Sequence, residues 1–192
     1  MLWLVIAFSL WAWMSPLLLL PLGWFMDPLL TALQPAAVSG AETSRVGIDV
    51  VTRFDPSVLP GRGADTDGRA AEVVFSVNAL KYGYGLPIIA ALTLAAEGGA
   101  WPRRLACVLT GFLLVLAIQA WGVTFEALLT LGHRLGPEVA AAVELPRLGR
   151  EGVALGYQLG SLILPPVIPV IWWAGWHMPE VLRLAGRETG PQ

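Results

Sequence analysis

The chain has 192 residues, 56% of them hydrophobic and 14% charged, with a mean hydropathy of +0.66. Soluble domains carry about 25% charged residues, so the composition excludes an ordinary water-soluble globule and predicts an integral membrane protein in contact with a lipid bilayer. Twelve basic and fourteen acidic residues leave a net charge of −2, no electrostatic footprint for nucleic acid, and the single cysteine excludes an intramolecular disulfide or a multi-cysteine metal cluster.

Residues 2–26 contain no charged side chain and form a run of about 25 residues, where roughly 20 suffice to cross a bilayer core. A cleaved signal peptide would need a basic leading region, a shorter apolar core and a small-residue cleavage motif, none of which is clear. Pro16 and Pro21 interrupt the run and predict a kinked helix packed against others. Asp27-Pro28 ends it, with Leu29 to Leu33 expected as a short interfacial continuation.

The period then changes. Arg45 to Phe54 alternates apolar with polar residues, as a half-buried strand does, and Ala71 to Asn78 is a second such run. Between them Asp55 to Arg69 is crowded with Pro, Gly and Asp and reads as a loop. Two strands alone are marginal in water, so this element must pack on the membrane helices or on a partner.

Lys81 precedes a second run, Tyr82 to Ala96, which is short unless it extends through Gly98-Gly99-Ala100 to Trp101, giving an expected span over about 82–101 that snorkelling by the lysine stretches further. Trp101-Pro102-Arg103-Arg104 is expected to be a tight turn into a third span over about 105–125. A polar connection over 126–152 follows, in which Leu128 to Leu135 and Glu138 to Val143 are candidate amphipathic helices. The fourth span covers about 153–178, broken by Pro165-Pro166 and Pro169, and a polar tail ends the chain.

The expected fold is thus a mainly α integral membrane protein: a single membrane domain over 1–192, four transmembrane helices, and a small extracytoplasmic β element in the 27–81 loop between helices 1 and 2. Nine tryptophans lie mostly near the ends of the hydrophobic runs, at headgroup depth. Arg103, Arg104, Arg183 and Arg187 favour cytoplasmic N- and C-termini under the positive-inside rule, against Arg134, Arg147 and Arg150 in the other short connection.

Chemistry-bearing residues are few. Cys107 would need a base or cation to hold a thiolate; Arg103 and Arg104 share a helix face with it, but its run is apolar, and a small buried apolar role is expected. His177 is expected to cap the end of the last span and His133 to sit on a surface segment. Asp27, Glu97 and Glu126 lie at run ends within reach of water, whereas Gln119 is deep and is expected to hydrogen-bond to another helix. No spacing matches a catalytic constellation, a cofactor site or a metal site.

The weight falls on Val77 to Pro87. Alternate glycines beside two tyrosines permit close backbone approach, either as an interfacial hinge or as a docking surface for another membrane protein. Asn78, Lys81, Tyr82, Gly83, Tyr84, Gly85 and Pro87 are the partner-binding candidates.

The Trp-rich, proline-broken first span, the stretch from Val77 to Pro87 and the final Pro169-Val170-Ile171-Trp172 resemble the exosortase H-associated membrane proteins of Gram-negative bacteria. The resemblance implies a bacterial inner-membrane location and a non-enzymatic accessory role beside an exosortase, a transpeptidase-like membrane enzyme linked to proteins with a PEP-CTERM-type sorting signal. That enzyme would itself supply the catalytic Cys, Arg and His. Two alternatives stand beside it: a structural subunit of a larger inner-membrane complex, and a membrane-embedded cysteine enzyme, which the surroundings of Cys107 disfavour.

Overall fold

The structure, a computed structural model, describes residues 2–54, 71–96, 100–143, 145, 149–179 and 181–182. The predicted loop over 55–69, Glu97, Arg147, and Arg183 and Arg187 of the tail lie outside the described residues.

The first hydrophobic run folds as one helix, α1 (Leu2–Leu33), which passes through Asp27-Pro28 instead of ending there. Pro16, Pro21 and Pro28 all lie inside it, and each removes a donor to the preceding turn. At Pro16 the Ser15 hydroxyl compensates by donating to the Ala12 carbonyl at 2.9 Å, the group the missing N–H would have served. Beside Pro28, Thr31 Oγ1 donates to the Asp27 carbonyl at 2.8 Å. Helix continuation past Asp27 has a purpose: its carboxylate accepts the Ala41 backbone N–H at 2.9 Å and so ties α1 to the next element.

That element is a three-stranded antiparallel sheet, β1 (Val38–Thr43), β2 (Ile48–Phe54) and β3 (Ala71–Val77), in the order β1-β2-β3. Sequence alternation finds β2 and β3 and misses β1, whose Val-Ser-Gly-Ala-Glu-Thr has no clear period of two. β1 is held from outside: β2 pairs along it, with a register shift between Val38 and Gly40, and Asp27 bonds it just beyond that shift. The Ser44 N–H donates to the Gly47 carbonyl at 2.8 Å and closes the hairpin, so β2 begins at Ile48, not Arg45.

The sheet has two unlike faces. Val38, Ala41, Ile48, Val50, Phe54 and Val77 are buried on one, while the other carries Asp49, Arg53, Glu72 and Ser76. The apolar face rests on Leu22, Met26 and Leu30 of α1 and on Val123, Ala127 and Leu131, forming one core that joins sheet to helices. The expected need for a packing surface is met within the chain.

After the sheet come α2 (Leu80–Gly83), α3 (Gly85–Ala95) and α4 (Trp101–Leu129), which runs on through a π-helical turn (Thr130–Arg134). Trp101 to Arg104 is therefore the first turn of α4 and not a loop; Pro102 suits it because the first N–H groups of a helix have no partner in the helix. At the other end α4 passes Phe125 by more than two turns, absorbing the first of the two predicted interfacial helices. The second is present as α5 (Pro137–Ala142). A last continuous stretch comprises α6 (Gly149–Gln158), a second π-helical turn (Leu159–Ile163) and α7 (Leu164–Trp176). The wide turn falls directly ahead of Pro165-Pro166, whose rings cannot donate to it.

Among the described residues three helical stretches are long and apolar enough to cross a membrane: Leu2–Leu33, Trp101–Arg134 and Gly149–Trp176. The expected second span, over about 82–101, is not among them. Its helical part, Leu80–Ala95, would rise only about 24 Å against a hydrocarbon core of about 30 Å. It lies against α4 in antiparallel fashion, from Tyr82 packed on Gly122 at one end to Ala96, whose carbonyl accepts from Arg104 at 2.7 Å, at the other. α3 also touches α1 and α7, so the short helix is enclosed by the three long ones.

Candidate functional site

The junction from β3 into α3 is built by short-range capping and long-range packing together. Asn78 Oδ1 accepts the Leu80 N–H at 3.0 Å and starts α2. This sends the next two side chains, Lys81 and Tyr82, toward the far end of α4. Both meet Glu126: Lys81 Nζ lies 2.6 Å from Oε1, and the Tyr82 hydroxyl donates to Oε2 at 2.9 Å. Arg134 approaches the same Oε1 at 3.7 Å from the π-helical turn. Tyr157 of α6 completes the group, with Lys81 5.6 Å and Arg134 5.9 Å from its ring centre.

Glu126 is only 7% exposed, which corrects the expectation that it meets water at a run end. A buried carboxylate is tolerated when it is paired and its oxygens are hydrogen-bonded, and here both oxygens have partners. Tyr82 is fully buried, with its ring on Gly122, where an added Cβ would overlap it. The result is a closed ionic clamp that binds the strand-to-helix junction to α4 and α6.

The other candidates of the junction are also turned inward. Gly83 faces Gln119, Gly85 faces Pro169, and a side chain at either would collide. Gln119 Nε2 in turn donates to the Ala79 carbonyl at 3.2 Å, so the deep glutamine bonds across to the neighbouring segment, as expected. Pro87 is buried, Tyr84 is half-buried between α2 and α3, and Asn78 is exposed. Close approach at the glycines is thus used by this chain's own helices.

Glu126, Arg134 and Tyr157 are the members that sequence reasoning misses. One signal was available for Glu126: it shares a helix face with Gln119 and Gly122, at spacings of seven and four, and that face is buried. Nothing local marks Arg134 or Tyr157, which join through tertiary packing.

The remaining reactive side chains lie elsewhere. Cys107 is 1% exposed, packed with Ile89 and Val115, and its sulfur lies 3.6 Å from Thr93 Oγ1. His177 stacks on Trp173, with ring centres 4.8 Å apart, and its Nδ1 donates to the Trp173 carbonyl at 3.0 Å, the capping role expected of it. His133 is exposed on the π-helical turn.

Compared with protein families, residues 1–179 match the family described as exosortase H-associated membrane protein. The chain belongs to that family. The match spans α1, the sheet, the ionic clamp and α7, so every structural feature described above falls inside the family's extent. Comparison with curated proteins and with solved structures found no match. The family's name indicates a membrane protein associated with exosortase H.

Proposed function

We propose that this chain is a non-enzymatic accessory protein that holds its sheet beside an exosortase on the extracytoplasmic side of the bacterial inner membrane. The observation that carries the reading is the clamp on Glu126. It fixes the exit of β3 to α4 and α6, so that the sheet and the helices turn as one piece and contact on either is transmitted to the other. Glu126, Cys107 and Gln119 are engaged in internal structure, which supports a binding role over a catalytic one.

Within the junction, Asn78, Lys81 and Tyr84 reach the surface and would touch the partner; Tyr82, Gly83, Gly85 and Pro87 would act by holding its shape. Val74, 58% exposed on the polar face of the sheet, is an apolar contact point on the strand that leads into the junction. The test is co-purification in mild detergent from membranes containing the exosortase. The enzyme should come down with the native chain, and Val74→Glu with Tyr84→Ala should reduce its recovery at least tenfold without lowering the melting temperature. Recovery of the chain alone would refute the association, and recovery with a different assembly would favour the structural-subunit reading. Cys107→Ala should leave the associated sorting activity intact.

We also propose that Leu80 to Ala96 completes a fourth crossing, with both termini cytoplasmic. Its antiparallel course beside α4, from the level of Gly122 to that of Arg104, covers about 27 Å of helix rise, close to a full hydrocarbon core. Reporter fusions after Ala96 and after Gly136 should report opposite sides; the same side for both would rule the crossing out.

A further inference from the structure

Between α4 and α7, at the end remote from the sheet, lies an open groove of about 500 Å³. Leu114, Ile168, Ile171, Trp172, Gly175 and Trp176 line it, and among the described residues Arg103 is the charged one on its wall. We propose that this groove seats one acyl chain of an anionic phospholipid, with the lipid phosphate on Arg103.

Three observations support a lipid over a partner's transmembrane helix. The first is charge: an exposed guanidinium at the end of an apolar trough complements a phosphate joined to a hydrocarbon chain. Arg103 donates to the Trp176 carbonyl at 2.6 Å, which holds the side chain across the end of α7 and leaves further N–H groups for the phosphate. Length is the second. From Arg103 to Leu114 the α4 wall rises about 16 Å, and from Ile168 to Trp176 the α7 wall rises about 12 Å. Each is near half of the roughly 30 Å hydrocarbon core, the depth of one leaflet, whereas a crossing helix would need a groove along the whole thickness.

The third is Gly175. Glycine is a poor residue inside a helix, and Gly111, Gly122, Gly156 and Gly160 are each packed closely by a neighbour: Ile89, Tyr82, Phe125 and Trp121. A Cβ on Gly175 would meet nothing within 4 Å among the described residues. The space beside it belongs to the groove, and a larger side chain there would fill the groove without displacing the protein.

The test is native mass spectrometry of the full chain in mild detergent, titrated with dioleoyl phosphatidylglycerol, with dioleoylglycerol of the same chains, and with inorganic phosphate. The native chain should retain one phosphatidylglycerol at collision energies that strip bulk lipid, and prefer it at least tenfold over dioleoylglycerol. Gly175→Leu should lower retention of both lipids at least tenfold, and Arg103→Gln should abolish the preference while sparing dioleoylglycerol. Leu114→Phe fills the groove from the opposite wall and should repeat the effect of Gly175→Leu. Unchanged retention in both filling variants, an unchanged preference in Arg103→Gln, or displacement of the lipid by inorganic phosphate would each overturn the proposal. So would loss of exosortase from Gly175→Leu with lipid retention intact, since that result would assign the groove to a partner helix.

Discussion

At the sheet end of the molecule Tyr82 covers Gly122, Glu126 has a partner on each oxygen, and eighteen buried apolar residues form one core. At the opposite end a buried cluster of three among the described residues, Ile89, Cys107 and Val115, backs an open trough beside which a Cβ on Gly175 would meet none of the described residues within 4 Å. The same pair of helical stretches, α4 and α6 to α7, builds both ends. What differs is how much packs around that pair: α2, α3 and the sheet close the first end, whereas at the second α3 packs on one side and the groove between α4 and α7 stays open on the other. Tight packing there fixes a shape, and loose packing leaves room for a ligand.

Substitutions at the two ends should therefore differ sharply in cost. Glu126→Ala takes the partner from the part-exposed Lys81 and leaves the buried Tyr82 hydroxyl without its acceptor; the orphaned hydroxyl costs about 1–3 kcal/mol and the lost part-exposed pair about 0.2–1 kcal/mol more, and unfolding in mild detergent should show the largest loss here. Tyr82→Phe keeps the ring on Gly122 and removes only the hydrogen bond to a charged group, for a loss of about 1.5–3 kcal/mol by the same measurement. Asp27→Ala, at the partly buried link between α1 and the β1 backbone, should cost about 1 kcal/mol, and amide exchange at Ala41 should quicken. Gly175→Leu, at the open end, should cost no stability and, by the better helix propensity of leucine, should add up to about 1 kcal/mol. A large loss at Gly175 or a negligible one at Glu126 would erase the distinction between the ends.

Much of this fold can be read from the chain. Charge-free runs locate α1, α4 and α7, and alternation locates β2 and β3, because those signals depend on which faces meet water or lipid. Helix ends and β1 are not legible in that way. Read from sequence, the third span stops short of Glu126 because a carboxylate normally marks water, yet α4 continues because Lys81, 45 residues away, neutralises it. Likewise Asp27-Pro28 resembles a stop, but the Asp27 carboxylate is satisfied by a strand that lies 14 residues further on. The candidate site was half legible: Lys81 and Tyr82 stand in a conspicuous motif, while the group they serve is visible only once α4 is placed beside them.

The core beneath the sheet also sets an order of assembly. All three strands have been synthesised by Val77, but the surface on which they rest includes Val123, Ala127 and Leu131, which are synthesised later. The sheet must therefore wait, half supported on α1, until α4 has been made and inserted, and the clamp on Glu126 closes only then. Truncation before α4 should leave the segment from Val38 to Val77 open to protease, a vulnerable interval in biogenesis that ends when the third long helix arrives.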